Sequence, residues 1–191
     1  EVIRTYTSKK EKSKTWQGGP SPEKVLPKKE GFNRFHWDLR RAQLPSIEGV
    51  FVYGSYAGSR VGPGNYKARL TYNNTEKEVS LSVLPNPNLT STTVDFEAQQ
   101  KLLVQIEAGI KNVHQTVAEM RKVQKQLQHY HQILEGQDKY QSLLEKAETI
   151  DQKLKNWEKE LIQPDQKTFQ DVINFHNKLN AEWMYLKDVV D

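Results

Sequence analysis

The sequence predicts an α+β chain in two segregated parts: an N-terminal antiparallel β-sandwich, followed by an antiparallel three-helix bundle. Three observations predict it. Eight of the ten glycines and seven of the eight prolines lie in residues 1–92. These residues punctuate strands and turns and are costly inside helices. Residues 66–72 and 79–83 alternate apolar with polar, the period of a half-buried strand. From Leu103 to Leu186 the apolar residues instead recur three and four apart, the period of a helix. The change falls in LPNPNLTSTT, residues 84–93, which separates a sandwich over 1–88 from helices over 89–191.

In the β half, Val2, Ile3 and Tyr6 read as an opening strand. Residues 8–31 are basic, polar and rich in Gly and Pro, and read as a long loop. Phe32, Phe35, Trp37 and Leu39 give near-alternation, and Val50–Tyr53 gives a further short strand. Tyr66, Ala68, Leu70 and Tyr72 alternate with Lys67, Arg69 and Thr71. The turn Asn73-Asn74-Thr75-Glu76 then leads into Val79, Leu81 and Val83, so 65–84 is a β-hairpin. The expected inner face of the sandwich carries Phe35, Trp37, Tyr66, Leu70, Leu81 and Val83.

In the α half, three helices are expected at about 93–135, 138–162 and 165–190. The first carries Leu103, Ile106, Ile110, Val113, Val117, Met120 and Leu127 on one stripe. Thr92 or Thr93 serves as N-cap, Asp95 and Glu97 suit the positive helix start, and Gly136 is a natural stop. The second carries Tyr140, Leu143, Ala147, Ile150, Leu154, Trp157 and Leu161, with Ile150 and Leu154 expected in the core. Gln163-Pro164-Asp165 breaks it. The third carries Phe169, Val172, His176, Leu179, Trp183 and Leu186. Short connections favour antiparallel neighbours.

Charge divides the chain at the same place. Residues 1–92 hold 15 Lys+Arg against 8 Asp+Glu, and residues 93–191 hold 13 against 16. The basic loop, Lys9 to Lys29 with Trp16, could attract polyanions, but the acidic helices argue against a nucleic-acid binder. The chain has no cysteine, which excludes disulfides, thiolate metal sites and a thiol nucleophile. No apolar run approaches the ~18 residues of a membrane-spanning helix. The chain opens on Glu, without a signal peptide, and reads as a processed product or an excised fragment.

The sequence offers no catalytic residue, cofactor site or metal site. It has no G-x-S-x-G, P-loop, G-x-G-x-x-G or H-E-x-x-H string. Gly58–Gly64 is glycine-rich around Arg60, but a strand comes after it where a phosphate cradle would open a helix. His129 and His131 point apart on a helix, and with His114 they share no face, so all three read as solvated. His176 lies on the apolar stripe. The helical carboxylates, Glu145, Glu148, Asp151, Glu158 and Glu160, fall mostly on polar faces. Asp38, beside Arg40 and Arg41, reads as an ion-pair or turn residue.

GFNRFHWDLR at Gly31–Arg40 and VGPGNYKARLTYN at 61–73 resemble a G-x-N-x-F-x-W-D-L-R string followed by a V-x-P-G-x-Y-x-x-x-L strand. This pattern is similar to the C-terminal region of bacterial sortilin-like, BNR (Asp-box) repeat β-propeller proteins, usually labelled glycosyl hydrolases. The sandwich also looks like the Ig-like domain of flagellar hook-capping proteins. The resemblance runs on through 84–103 and INFHNKLNAEW at 173–183, and covers residues 1–5 and 30–190. In such proteins the propeller precedes this tail and carries the Asp-boxes, S-x-D-x-G-x-T-W. Here the nearest string, Lys9–Trp16, keeps only Thr15 and Trp16, with Lys9, Glu11 and Ser13 in place of Ser, Asp and Gly. No catalytic residue of the family therefore transfers to this chain.

The resemblance implies a non-catalytic accessory or interaction module, the tail of a larger exported propeller protein. Its location would be periplasmic, cell-surface or secreted, and its partner the propeller or another protein. A second reading is a carbohydrate-binding module. Trp16, Tyr53, Tyr56 and Arg60 are the candidate ligand or interaction surface, since aromatic rings stack on sugar faces. A third is glycoside hydrolysis by the chain itself, which requires two carboxylates about 5–10 Å apart across a cleft.

Overall fold

The computed structural model of the protein describes residues 1–10, 15–52, 54–168 and 178–191. The expected positions Tyr53, Phe169, Val172 and His176 lie outside the described residues. The regular elements are strands β1 (Gly64–Tyr72) and β2 (Thr75–Val83) and helices α1 (Thr93–Leu134), α2 (Gln141–Leu161) and α3 (Leu179–Val190), with a 3-10 turn at Asp138–Tyr140.

β1 and β2 pair antiparallel, Tyr66 opposite Leu81 and Tyr72 opposite Thr75. Asn73 and Asn74 both hold positive φ, 45° and 62°. Asparagine tolerates that region, and a two-residue turn of this hand matches the strand twist.

The Ig-like sandwich expected over 1–88 is not formed: among the described residues the sheet has two strands. Leu39 takes a positive φ of 58°, which ends the alternation that began at Phe32. Beyond Leu39 the chain makes only a ragged pairing with the segment 56–61. Arg41 N–H donates to the Ser59 carbonyl (2.9 Å), Val61 N–H to Leu39 (2.8 Å) and Leu44 N–H to Tyr56 (2.8 Å), around a single bridge between Arg40 and Arg60. Leu44, Ile47, Val50, Val52 and Tyr56 are buried not against a second sheet but with Ile106, Ile110, Val113 and Val117 of α1, Ile162 and Met184. The helix stripe took the apolar residues that would have lined a sandwich.

α1 begins as its sequence directs. Thr92 Oγ1 accepts from Asp95 N–H (3.4 Å), and the Asp95 carboxylate accepts from Thr92 N–H (2.7 Å). This reciprocal capping box satisfies two otherwise orphaned donors. Hydrogen bonds donated by Thr92 N–H and then by the Thr92 hydroxyl (2.8 Å) hold the Asp95 carboxyl below the usual carboxylate range. Beyond Leu134 the chain turns through Gly136, whose φ is +78°.

Three helices form, but not as a side-by-side three-helix bundle. Arg121 pairs with Glu158, His114 meets Asn180, and Gln99 donates to the Val190 carbonyl. α2 and α3 therefore both run antiparallel to α1, one after the other along its ~63 Å length. α2 covers the C-terminal half of α1 and α3 the N-terminal half. The break comes from Pro164, which lies in a turn with Asp165 and cannot continue a helix. The helix expected from residue 165 is α3, Leu179–Val190, with Asp165–Thr168 non-helical.

α3 seats against α1 through a glycine. A Cβ on Gly109 would stand 2.8 Å from the Trp183 indole, so only glycine lets that ring lie flat on the helix. On α2 the expected stripe is partly turned outward. Leu144 and Glu158 are buried, whereas Ile150, expected in the core, is 48% exposed.

Candidate functional site

The two faces of the β-hairpin differ in chemistry. Alternation puts Asn65, Lys67, Arg69 and Thr71 on one face, with Ser82, Ser80, Glu78 and Glu76 opposite them. That face is satisfied by its own pairs: Arg69 to Glu78 at 2.6 Å and Ser82 Oγ to Asn65 Oδ1 at 2.7 Å. Hydrogen bonding to Arg69, then its charge, lowers the Glu78 pKa. The other, mainly apolar face carries Tyr66, Ala68, Leu70 and Tyr72, with Leu81, Val79, Lys77 and Thr75 across the ladder.

Among the described residues, only the base of this apolar face is covered. The Trp37 ring packs edge-on to Tyr66 at 5.8 Å. Its indole N–H donates to the Arg40 carbonyl (3.0 Å), and the Tyr66 hydroxyl to Gly62 (2.6 Å). Phe35, two residues before Trp37, packs edge to face with Tyr6. Toward the turn, Leu70, Val79 and Tyr72 are open, Tyr72 at 72% exposure. A two-stranded sheet with an open apolar face is marginal alone, and needs a cover to be stable.

The four residues proposed from sequence fall into separate surroundings. Trp16 is half-buried and donates its indole N–H to the Val50 carbonyl at 2.7 Å. Tyr56 is only 4% exposed, and its ring lies 5.8 Å from that of His114. Burial pushes the Tyr56 hydroxyl up to about 12, and among the described residues that hydroxyl has no hydrogen-bond partner. Arg60 is exposed. Its backbone N–H donates to Asp191 Oδ1 (2.6 Å) and its carbonyl accepts from Gln100 (3.1 Å). Tyr53 lies outside the described residues.

Three polar anchors were missed by sequence reasoning. Glu107 accepts from both Ser59 N–H and Ser59 Oγ at 2.8 Å, fastening the segment before β1 to α1. His114, read as solvated, is buried between the Pro45 carbonyl and Asn180. Burial is the largest cause of its lowered pKa, opposed by the hydrogen bonds to Asn180 and Pro45. Its two ring nitrogens face two oxygens, Nδ1 the Pro45 carbonyl and Nε2 the Asn180 Oδ1 at 2.7 Å, and a neutral imidazole donates to only one of them at a time. Arg121 joins Glu158 of α2 (2.7 Å) to the Glu48 carbonyl (3.1 Å). One signal was available: Glu107 and His114 come directly after the stripe residues Ile106 and Val113, seven apart, on the edge of the apolar face.

Glu145 and Glu148 line a shallow, open depression with Lys153, all on one side of α2. Asp38 is bound by Arg4 (3.2 Å) and by the Arg40 backbone N–H (3.3 Å), as an ion-pair and turn residue. Partial burial raises the Asp38 pKa, but Arg4, the Arg40 N–H and Lys24 outweigh it and the net shift is downward. Among the described residues no three His, Asp or Glu side chains converge as a metal site, and no helix is long and apolar enough to cross a membrane. No family model, curated protein or solved structure matches the chain.

Proposed function

We propose that the chain is a non-catalytic interaction module whose β-hairpin docks, apolar face first, onto a neighbouring folded domain. The open Leu70–Tyr72–Val79 face carries this reading. Sheets of stable β domains bury such a face against a second layer, and this layer is missing among the described residues. The opposite face, laced by Arg69 and Glu78, suits water. The resemblance of Gly31–Arg40 and 61–73 to the tails of Asp-box propeller proteins names the neighbour: the propeller of an exported protein of that kind.

Hydrogen exchange tests it. In the isolated chain the amides of 64–83 should exchange fast. With the propeller of the protein carrying this tail, present in cis or added, their protection should rise at least tenfold, and Leu70→Lys with Val79→Lys should abolish the gain. Unchanged protection would overturn the docking reading. Turnover of aryl glycosides that one Asp or Glu substitution abolishes would overturn the non-catalytic one.

A further inference from the structure

α2 carries an apolar stripe that its packing on α1 leaves outside. Leu144 and Glu158 face α1 and are buried, with Asp151 between them half-buried. Each is directly preceded by a large apolar residue that faces out: Leu143, Ile150 and Trp157, the last 65% exposed. α1 repeats the arrangement. Gln124 is buried and Leu134 half-buried, while Val123 and Ile133 are exposed, as is Tyr130.

One step back along a helix rotates a side chain by about 100°. Because α1 and α2 are antiparallel and of the same hand, that step turns both sets toward the same side of the pair. Val123, Tyr130 and Ile133 thus join Leu143, Ile150 and Trp157 in one mainly apolar stripe, with Gln126 and Lys146 interleaved at helical spacing. It occupies the place where a third helix would lie in a bundle. The chain's own third helix is spent on the N-terminal half of α1, where Gly109 receives Trp183.

We infer that this stripe is a self-association surface, on which the α1–α2 pair of a second copy packs to complete an antiparallel four-helix bundle. The area argues for a copy. With two aromatic rings and four aliphatic side chains, the stripe exposes on the order of 600 Å², at the upper end for a patch on a monomer. Two such stripes face to face bury on the order of 1,200 Å², where stable interfaces begin. A two-layer helix pair with one apolar side is half of a four-helix bundle, and a two-fold axis presents the same patch from both sides.

Sedimentation equilibrium on the full chain tests the inference. The wild type should show a concentration-dependent mass approaching two chains. Ile150→Glu and Trp157→Glu, both at exposed positions, should each weaken association at least 100-fold while far-UV circular dichroism stays unchanged. Leu70→Lys, on the β-hairpin, should leave association as it was. A wild type that stays a single chain up to millimolar concentration would overturn the inference and reserve the stripe for a foreign helix. A dimer insensitive to both glutamates, or one lost with Leu70→Lys alone, would overturn it too.

Discussion

The two halves of α1 have the same apolar period and different fates. Along the N-terminal half, Ile106, Ile110, Val113 and Val117 are closed over by the segment around Val50 on one side and Met184 of α3 on the other. Along the C-terminal half α2 is the one covering element among the described residues, so Val123, Tyr130 and Ile133 remain exposed. A stripe states which side of a helix is apolar. How much of it is buried depends on how many elements arrive to cover it.

Five substitutions sharpen that contrast, beginning with the largest effect. Ile110→Ala removes a wholly buried side chain and should cost about 2–5 kcal/mol in urea melts. Ile133→Ala, on the uncovered half of the same helix, should stay within about 0.5 kcal/mol. Equal losses would show that the two halves are covered alike.

Gly109→Ala comes next. In an open helix it would add about 1 kcal/mol of stability. Here the new methyl meets the Trp183 ring, and overpacking should turn the gain into a loss of about 1–3 kcal/mol. Thermal melts read the sign. A stabilised Gly109→Ala protein would mean that α3 does not rest on α1 at this point.

Thr92→Ala removes the capping box and should cost about 1 kcal/mol, with fraying of the first turn of α1 visible in hydrogen exchange. The smallest effect is a pH slope of at most one proton, from His114. Its pKa is lower folded than unfolded, so below the ordinary histidine value of 6.5 the unfolded chain binds more protons than the native one. Stability from this group is complete above that pH and is lost as the pH falls through the folded value. His114→Gln should remove that part of the slope, compared by urea titrations at about pH 7.5 and about pH 5, on either side of the ordinary histidine range. An identical slope in both proteins would show His114 to be titrating in water.

Local features were legible. Asn73-Asn74 between alternating runs gave the β-hairpin its turn, and Thr92 with Asp95 gave α1 its start. The apolar spacing from Leu103 to Met120 marked the stripe of α1, and Asp38 beside its arginines read as an ion pair. The open face of the hairpin was only half legible. Alternation placed Tyr66, Leu70 and Leu81 together, but it also predicted a second sheet over Leu70. On α2, the seven-residue repeat Leu143–Ile150–Trp157 looked like the core and is the exposed stripe, because Leu144 and Glu158 won the contact with α1. Glu158 gained that place through Arg121, a partner thirty-seven residues away, which no local pattern reveals.

The sequence by itself determined the start of α1, the end of α2 and the hairpin turn, because capping, proline and asparagine conformation and side-chain periodicity act within a few residues. Tertiary structure alone decided what each apolar face meets. It placed the residues from Leu44 to Tyr56 on α1 instead of in a sandwich, buried Glu107 and His114, and set α2 and α3 end to end. Burial is a contest among segments far apart in the chain, settled by which pairing removes most apolar surface while leaving buried polar groups bonded.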